Sequence, residues 1–95
     1  MNAPPRHING LVEVVLFSPI DFRHQPTGKC WHTGVHGKIA GLAICKQAGE
    51  TGYYLFGCNY DWNPITDTWH ESVAEAKAQA EFEYEGVSAT WQFVQ

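Results

Sequence analysis

Apolar positions are grouped in short strand-like runs between residues 11 and 69, and helical spacing takes over from Ser72 to Glu85. Residues 11–17 are β-branched and aromatic, which predicts a strand with Val12, Val14 and Leu16 on one face. Ser18-Pro19 is expected to stop it, because proline cannot donate to a ladder. Residues 20–24 and 29–33 flank Gln25-Pro26-Thr27-Gly28, turn chemistry that predicts a short hairpin. Residues 33–37 read as a flexible connection. Lys38 and Lys46 then bound an uncharged run, residues 39–45, which predicts a central strand covered on both faces. Residues 47–52 read as a hairpin loop, 53–58 as a strand and 59–64 as a turn. Residues 65–69 return, with Ile65, Asp67 and Trp69 alternating against Thr66 and Thr68. Ahead of all this, residues 1–9, with Pro4-Pro5, are expected to form a loose arm.

The spacing predicts a helix from Ser72 to Glu85. Ser72-Val73-Ala74-Glu75 matches a capping box, in which Ser72 accepts from the N–H of Glu75 and Glu75 reaches back to the N–H of Ser72. Four alanines favour the helix, and Gly86 offers a left-handed stop. Val73, Ala76, Ala80 and Tyr84 form one stripe, and its small alanines would let the helix lie close to a sheet. A second stripe, Ala74, Ala78 and Phe82, is flanked by Glu71, Glu75, Glu81 and Glu85. An apolar strip walled by carboxylates suits a docking face for a protein partner. The competing expectation is that the tail, residues 87–94, folds back over it with Trp91 and Phe93.

Composition narrows the class. A hydrophobic share of 44% argues against disorder, and 95 residues are expected to make one domain. No run is long enough for a membrane span, and the first residues lack a secretory hydrophobic segment. Three cysteines fit a reducing cytoplasm better than a disulfide scaffold. The net charge of −4 is polarised, with seven acidic residues and Lys77 alone beyond residue 60. Such a field repels nucleic acid and anionic membrane and suits a basic partner.

Candidate chemistry is sparse. Cys30, His32 and His36, with His24 just before them, offer metal-ligand types but not the spacing of familiar zinc modules. Cys58, His70 and Asp67 would come near one another if residues 53–59 and 65–69 pair, although Asp67 and His70 should point to opposite faces. No glycine-rich segment leads into a helix, so phosphate binding of the usual kind is not expected.

Gly52-Tyr53-Tyr54-Leu55-Phe56-Gly57-Cys58, continued by residues 65–72 and by Ala76 through Tyr84, resembles a group of small uncharacterised bacterial proteins. These share a tyrosine-rich strand, an Asp-Thr-aromatic-His step and a helix rich in alanine and glutamate. The likeness spans residues 52–86. It implies a bacterial source and a compact α+β fold, and it transfers no catalytic residue.

The sequence therefore predicts an α+β domain, a four- to six-stranded antiparallel meander with one C-terminal helix packed on one face. Its expected function is that of a non-enzymatic, cofactor-free interaction protein, such as a small inhibitor or immunity-type partner of a basic protein. The partner would be met by Phe82, Glu71, Glu75, Glu81 and Glu85. The alternative is a small metal-binding domain using Cys30, His32 and His36.

Overall fold

The computed structural model describes residues 3–8, 10, 12–21, 24–26 and 39–94. Strands β1 (His7–Ile8), β2 (Val12–Pro19), β4 (Gly41–Gln47), β5 (Tyr53–Cys58) and β6 (Pro64–His70) form one antiparallel sheet in chain order. A late strand, β8 (Gln92–Phe93), joins it against β2. The pair β3 (Gln25–Pro26) and β7 (Tyr84–Glu85) stands apart as a second, two-stranded sheet. The α-helix among the described residues, α1 (Val73–Glu83), precedes β7 and contacts β4, β5 and β6. The predicted α+β meander is the observed fold.

The uncharged run of residues 39–45 becomes the middle of the sheet, because β4 has β2 on one side and β5 on the other. Leu42 and Ile44 join Leu55, Ala76, Ala80, Tyr84 and Val87 in a core between sheet and helix. Ala43 and Cys45 face the other way, into a core with Val14, Phe17, Phe56 and Cys58. Burying a side chain the size of Ile44 or Leu42 is worth about 1.5–3 kcal/mol. Residues 41–45 of this strand are buried on both faces, and only Lys46 and Gln47 at its end are partly exposed.

Four sequence expectations change. First, Val12, Val14 and Leu16 do not share a face. The register against β4 shifts between Val14 and Leu16, so Val15 is an extra residue that turns the following side chains over. Val12, Val14 and Phe17 enter one core and Leu16 the other. Second, β2 runs on through Ser18 and ends at Pro19 itself, two residues beyond the expected end, pairing with Leu42 and Gly41. Third, the N-terminal arm is not loose where it is described. Ile8 is buried, His7–Ile8 pairs with β2, and the carbonyl of Arg6 accepts from the N–H of Val14 at 2.8 Å. Fourth, Gln25 and Pro26, expected in a hairpin turn, pair with Glu85 and Tyr84. The second arm of that hairpin, residues 29–33, lies outside the described residues.

Two local devices hold the ends. Trp62 has a left-handed backbone, φ 64°, unusual for a bulky residue. The side-chain oxygen of Asn59 accepts from the N–H groups of Asp61 (2.9 Å) and Asn63 (3.0 Å), and the N–H of Trp62 donates to the Asn59 carbonyl. This fastened turn inserts the indole into the core edge-on to Phe17, with ring centroids 5.8 Å apart. At the other end, Ser72 caps α1 by accepting from the N–H of Glu75 at 3.1 Å. The Glu75 carboxylate accepts from the N–H of Glu71 at 2.9 Å rather than from Ser72, so the capping box closes one residue early.

Helix α1 ends at Glu83, two residues before the predicted end. Tyr84 is already extended, because its backbone pairs with β3 while its ring is buried in the helix-side core. Gly86 is left-handed, φ 97°, and opens a short 3₁₀ turn, Val87–Ala89, that buries Val87. No helix among the described residues is long and apolar enough to cross a membrane.

Candidate functional site

The outer side of α1 carries two shallow depressions that share Ala78 and Phe82, the first reaching the end of β6. The first, about 510 Å³, is lined also by Trp69, His70, Glu71, Glu75 and Gln79. The second, about 710 Å³, is lined also by Ala74, Lys77, Glu81, Glu85 and Ser88. All five predicted partner-binding residues thus border one continuous face, with Glu71 and Glu75 on one side of Phe82 and Glu81 and Glu85 on the other.

The tail does not cover this face. Residues 92–93 pair with β2, Val87 enters the core beneath the helix, and Trp91 packs against that same core. Phe82 is left 45% exposed; Trp69, 50% exposed, stands opposite Tyr54 and so projects from the sheet face away from the helix. A large aromatic left exposed like Phe82 beside carboxylates is what a docking surface offers a partner's side chains.

The four carboxylates are not equivalent. Glu81 accepts from the N–H of Gly86 (2.9 Å) and from the N–H and hydroxyl of Ser88 (3.0 and 2.8 Å), which fastens the turn after the helix. Those bonds, chiefly the one from Gly86, hold its pKa below the ordinary carboxylate value. Glu75 serves the helix start. Lys77 further dilutes the negative charge of the second depression. The first depression, with Glu71 and Glu75, is therefore the more strongly anionic of the two.

His70 lies in the wall of the first depression, its Nε2 2.7 Å from the Thr68 hydroxyl. Burial lowers its pKa, and the nearby carboxylates of Glu75 and Glu83 oppose that shift. Glu83 was not singled out by sequence, yet it is only 3% exposed and accepts from Gln79 Nε2 at 2.8 Å. Its position seven residues after Ala76 puts it on the buried side of the helix, so helical spacing does contain the signal. Nothing in the alternation of β6 distinguishes Trp69 from a core residue.

The structure does not assemble Cys58, His70 and Asp67. Strands β5 and β6 do pair, but Cys58 stands opposite Pro64 while His70 stands opposite Tyr53. Five residues of extended chain separate them by roughly 17 Å. Asp67 is opposite Phe56 and so on the face away from His70. Burial also pushes the Cys45 and Cys58 thiols up to about 12, far from a thiolate at neutral pH. The candidate metal ligands Cys30, His32 and His36 lie outside the described residues. Among the described residues, no three His, Cys, Asp or Glu side chains are grouped to hold a metal.

Sequence reasoning missed a buried polar chain at the other end of the helix-side core. His24, noted in the sequence only for preceding the candidate metal ligands, is 3% exposed. Its Nδ1 accepts from the N–H of Asp21 at 3.1 Å, and its Nε2 is 2.9 Å from Thr90 Oγ1. Thr90 Oγ1 donates to the Val87 carbonyl at 3.1 Å and lies 2.7 Å from Ser18 Oγ. An acid, an imidazole and a hydroxyl in this order resemble a nucleophilic relay, but the protons are placed wrongly. With Nδ1 accepting, the ring proton sits on Nε2, so the imidazole cannot take a proton from Thr90. The chain of bonds ties the tail to β2 and is structural.

The chain matches no protein-family model, and comparisons with curated proteins and with solved structures gave no match.

Proposed function

We propose that this chain is a non-enzymatic interaction protein that binds a basic protein through the face formed by Phe82, Glu71 and Glu75. The carrying observation is a half-exposed Phe82 bordered by carboxylates in a shallow depression that the tail leaves open. Aromatic anchors surrounded by charge fit the anatomy of an interface better than that of an enclosed small-molecule pocket. The polarised charge of the chain gives the partner its sign, since a basic surface is both steered toward and held by this side. An inhibitor or immunity-type role in the cytoplasm is the form we infer. Two free, buried thiols, Cys45 and Cys58, are at home in a reducing compartment.

The test is affinity capture from the source cell with wild type and with Glu71→Lys/Phe82→Ala as paired baits. The reading expects a protein of high isoelectric point on the first bait and not on the second. Equal retention by both baits would place the binding surface elsewhere and overturn the assignment.

A further inference from the structure

We infer that the partner contributes an extended, lysine- or arginine-bearing segment that adds to the sheet as a new strand along β6. This rests on the docking reading above and carries it from side chains to backbone. Strand β6 is the last in the sheet order, and among the described residues β5 is its sole partner. The opposite edge differs, because β1 and β8 share the outer side of β2 between them.

A long edge strand presents unpaired N–H and C=O groups, and proteins usually guard it with lysine, a mid-strand proline or a bulge. Strand β6 has seven residues and lacks the first two of these. Its proline is the first residue, and its register shift falls at the Gly57/Cys58 end. The stretch Thr66–His70 is therefore regular. It pairs without interruption from Gly57 to Tyr53, which is the template an added strand requires.

Charge selects the occupant. Asp67 and Trp69 project from one face of β6, both exposed, and Glu71 follows at the next alternate position. A strand laid beside them meets two carboxylates four residues apart with an indole between them. Cations at alternate positions would pair across strands with Asp67 and Glu71, and an aliphatic stem between them would lie on Trp69. A second copy of this chain would instead bring its own Asp67, Glu71 and Glu75 to the same side, opposed by like charge.

The test uses the whole ¹⁵N-labelled protein and a seven-residue peptide alternating lysine with valine. The inference expects amide shifts along β6 and slowed hydrogen exchange at every second β6 amide, where N–H groups point outward. Asp67→Lys should weaken the peptide about fivefold, the worth of one exposed ion pair, with an unchanged melting temperature. The same peptide with a central proline should lose the β6 protection. Shifts confined to Ala78, Phe82 and their helix neighbours would overturn the added strand while leaving the docking face standing. Absence of any shift would also overturn it, and capture of the basic protein would then decide the docking reading separately. Protection of β6 that grows with protein concentration, without peptide, would assign the edge to a second copy and refute the inference.

Discussion

The indole of Trp69 lies flat against the backbone of Gly52, which is left-handed at φ 85°. A Cβ on Gly52 would overlap the ring, so the glycine is required twice, once by its backbone and once by the aromatic it supports. Trp69 stands half-exposed because this platform holds it there. Gly52→Ala should cost about 1–2 kcal/mol from the backbone alone. It should also displace the indole, read as a shift in tryptophan emission in the folded protein. An unchanged denaturation midpoint would contradict the contact.

The helix start predicts a second outcome. Ser72→Ala removes the acceptor for the Glu75 N–H and should lower stability by about 0.5–2 kcal/mol in denaturant titration. Glu75→Gln should cost less, because an amide oxygen can still accept from Glu71.

Glu81 makes the turn after the helix sensitive to acid. Its folded pKa lies below its ordinary value of 4.5, so the bonded carboxylate contributes stability above that value. The contribution is lost as pH falls through the folded pKa. Glu81→Gln should therefore be less stable than wild type at neutral pH, and the gap should close as acid protonates the Glu81 carboxylate, below its ordinary titration range. Chemical denaturation at several pH values measures it. A gap that widens on acidification would reverse the sign.

Thr90→Val should break the buried chain from Ser18 to His24. It leaves the Nε2–H of His24 without its acceptor in a dry site, at a cost of about 1–3 kcal/mol. The 92–93 strand should then show faster hydrogen exchange, since Thr90 tethers the tail just before it.

The two buried thiols should be inert. In a Cys30→Ser variant, neither Cys45 nor Cys58 should react with a thiol reagent at pH 8 until the protein unfolds. A thiol pushed up to about 12 has almost no thiolate there. Rapid native labelling would mean that the core opens.

What could be read from sequence followed local periodicity. The uncharged run of residues 39–45 had to be central, and Ser72 with Glu75 marked the helix start. The misreadings came from pairings between distant segments. The extra residue at Val15 is invisible until β4 supplies its register, and it divides Val14 from Leu16. Tyr84 leaves the helix because Pro26, far away in sequence, offers its backbone a partner. Likewise, the tail was expected over Phe82 but finds β2 instead, guided by the buried bond between His24 and Thr90. Of the docking face, Phe82 and the carboxylates were legible from helical spacing. The exposure of Trp69, on the sheet face away from the helix, was not, since it depends on the support of Gly52.

The docking claim is tested most directly by the affinity of the captured basic protein for wild type and for Phe82→Ala, with folding stability measured on the same samples. Phe82 is half-exposed, so its truncation should change stability by less than about 2 kcal/mol, well short of a core aromatic. Binding should weaken by at least about 2 kcal/mol, near thirtyfold, as for an interface anchor. Unaltered affinity, or a loss of 3–5 kcal/mol in folding stability, would show that Phe82 serves the fold and not a partner.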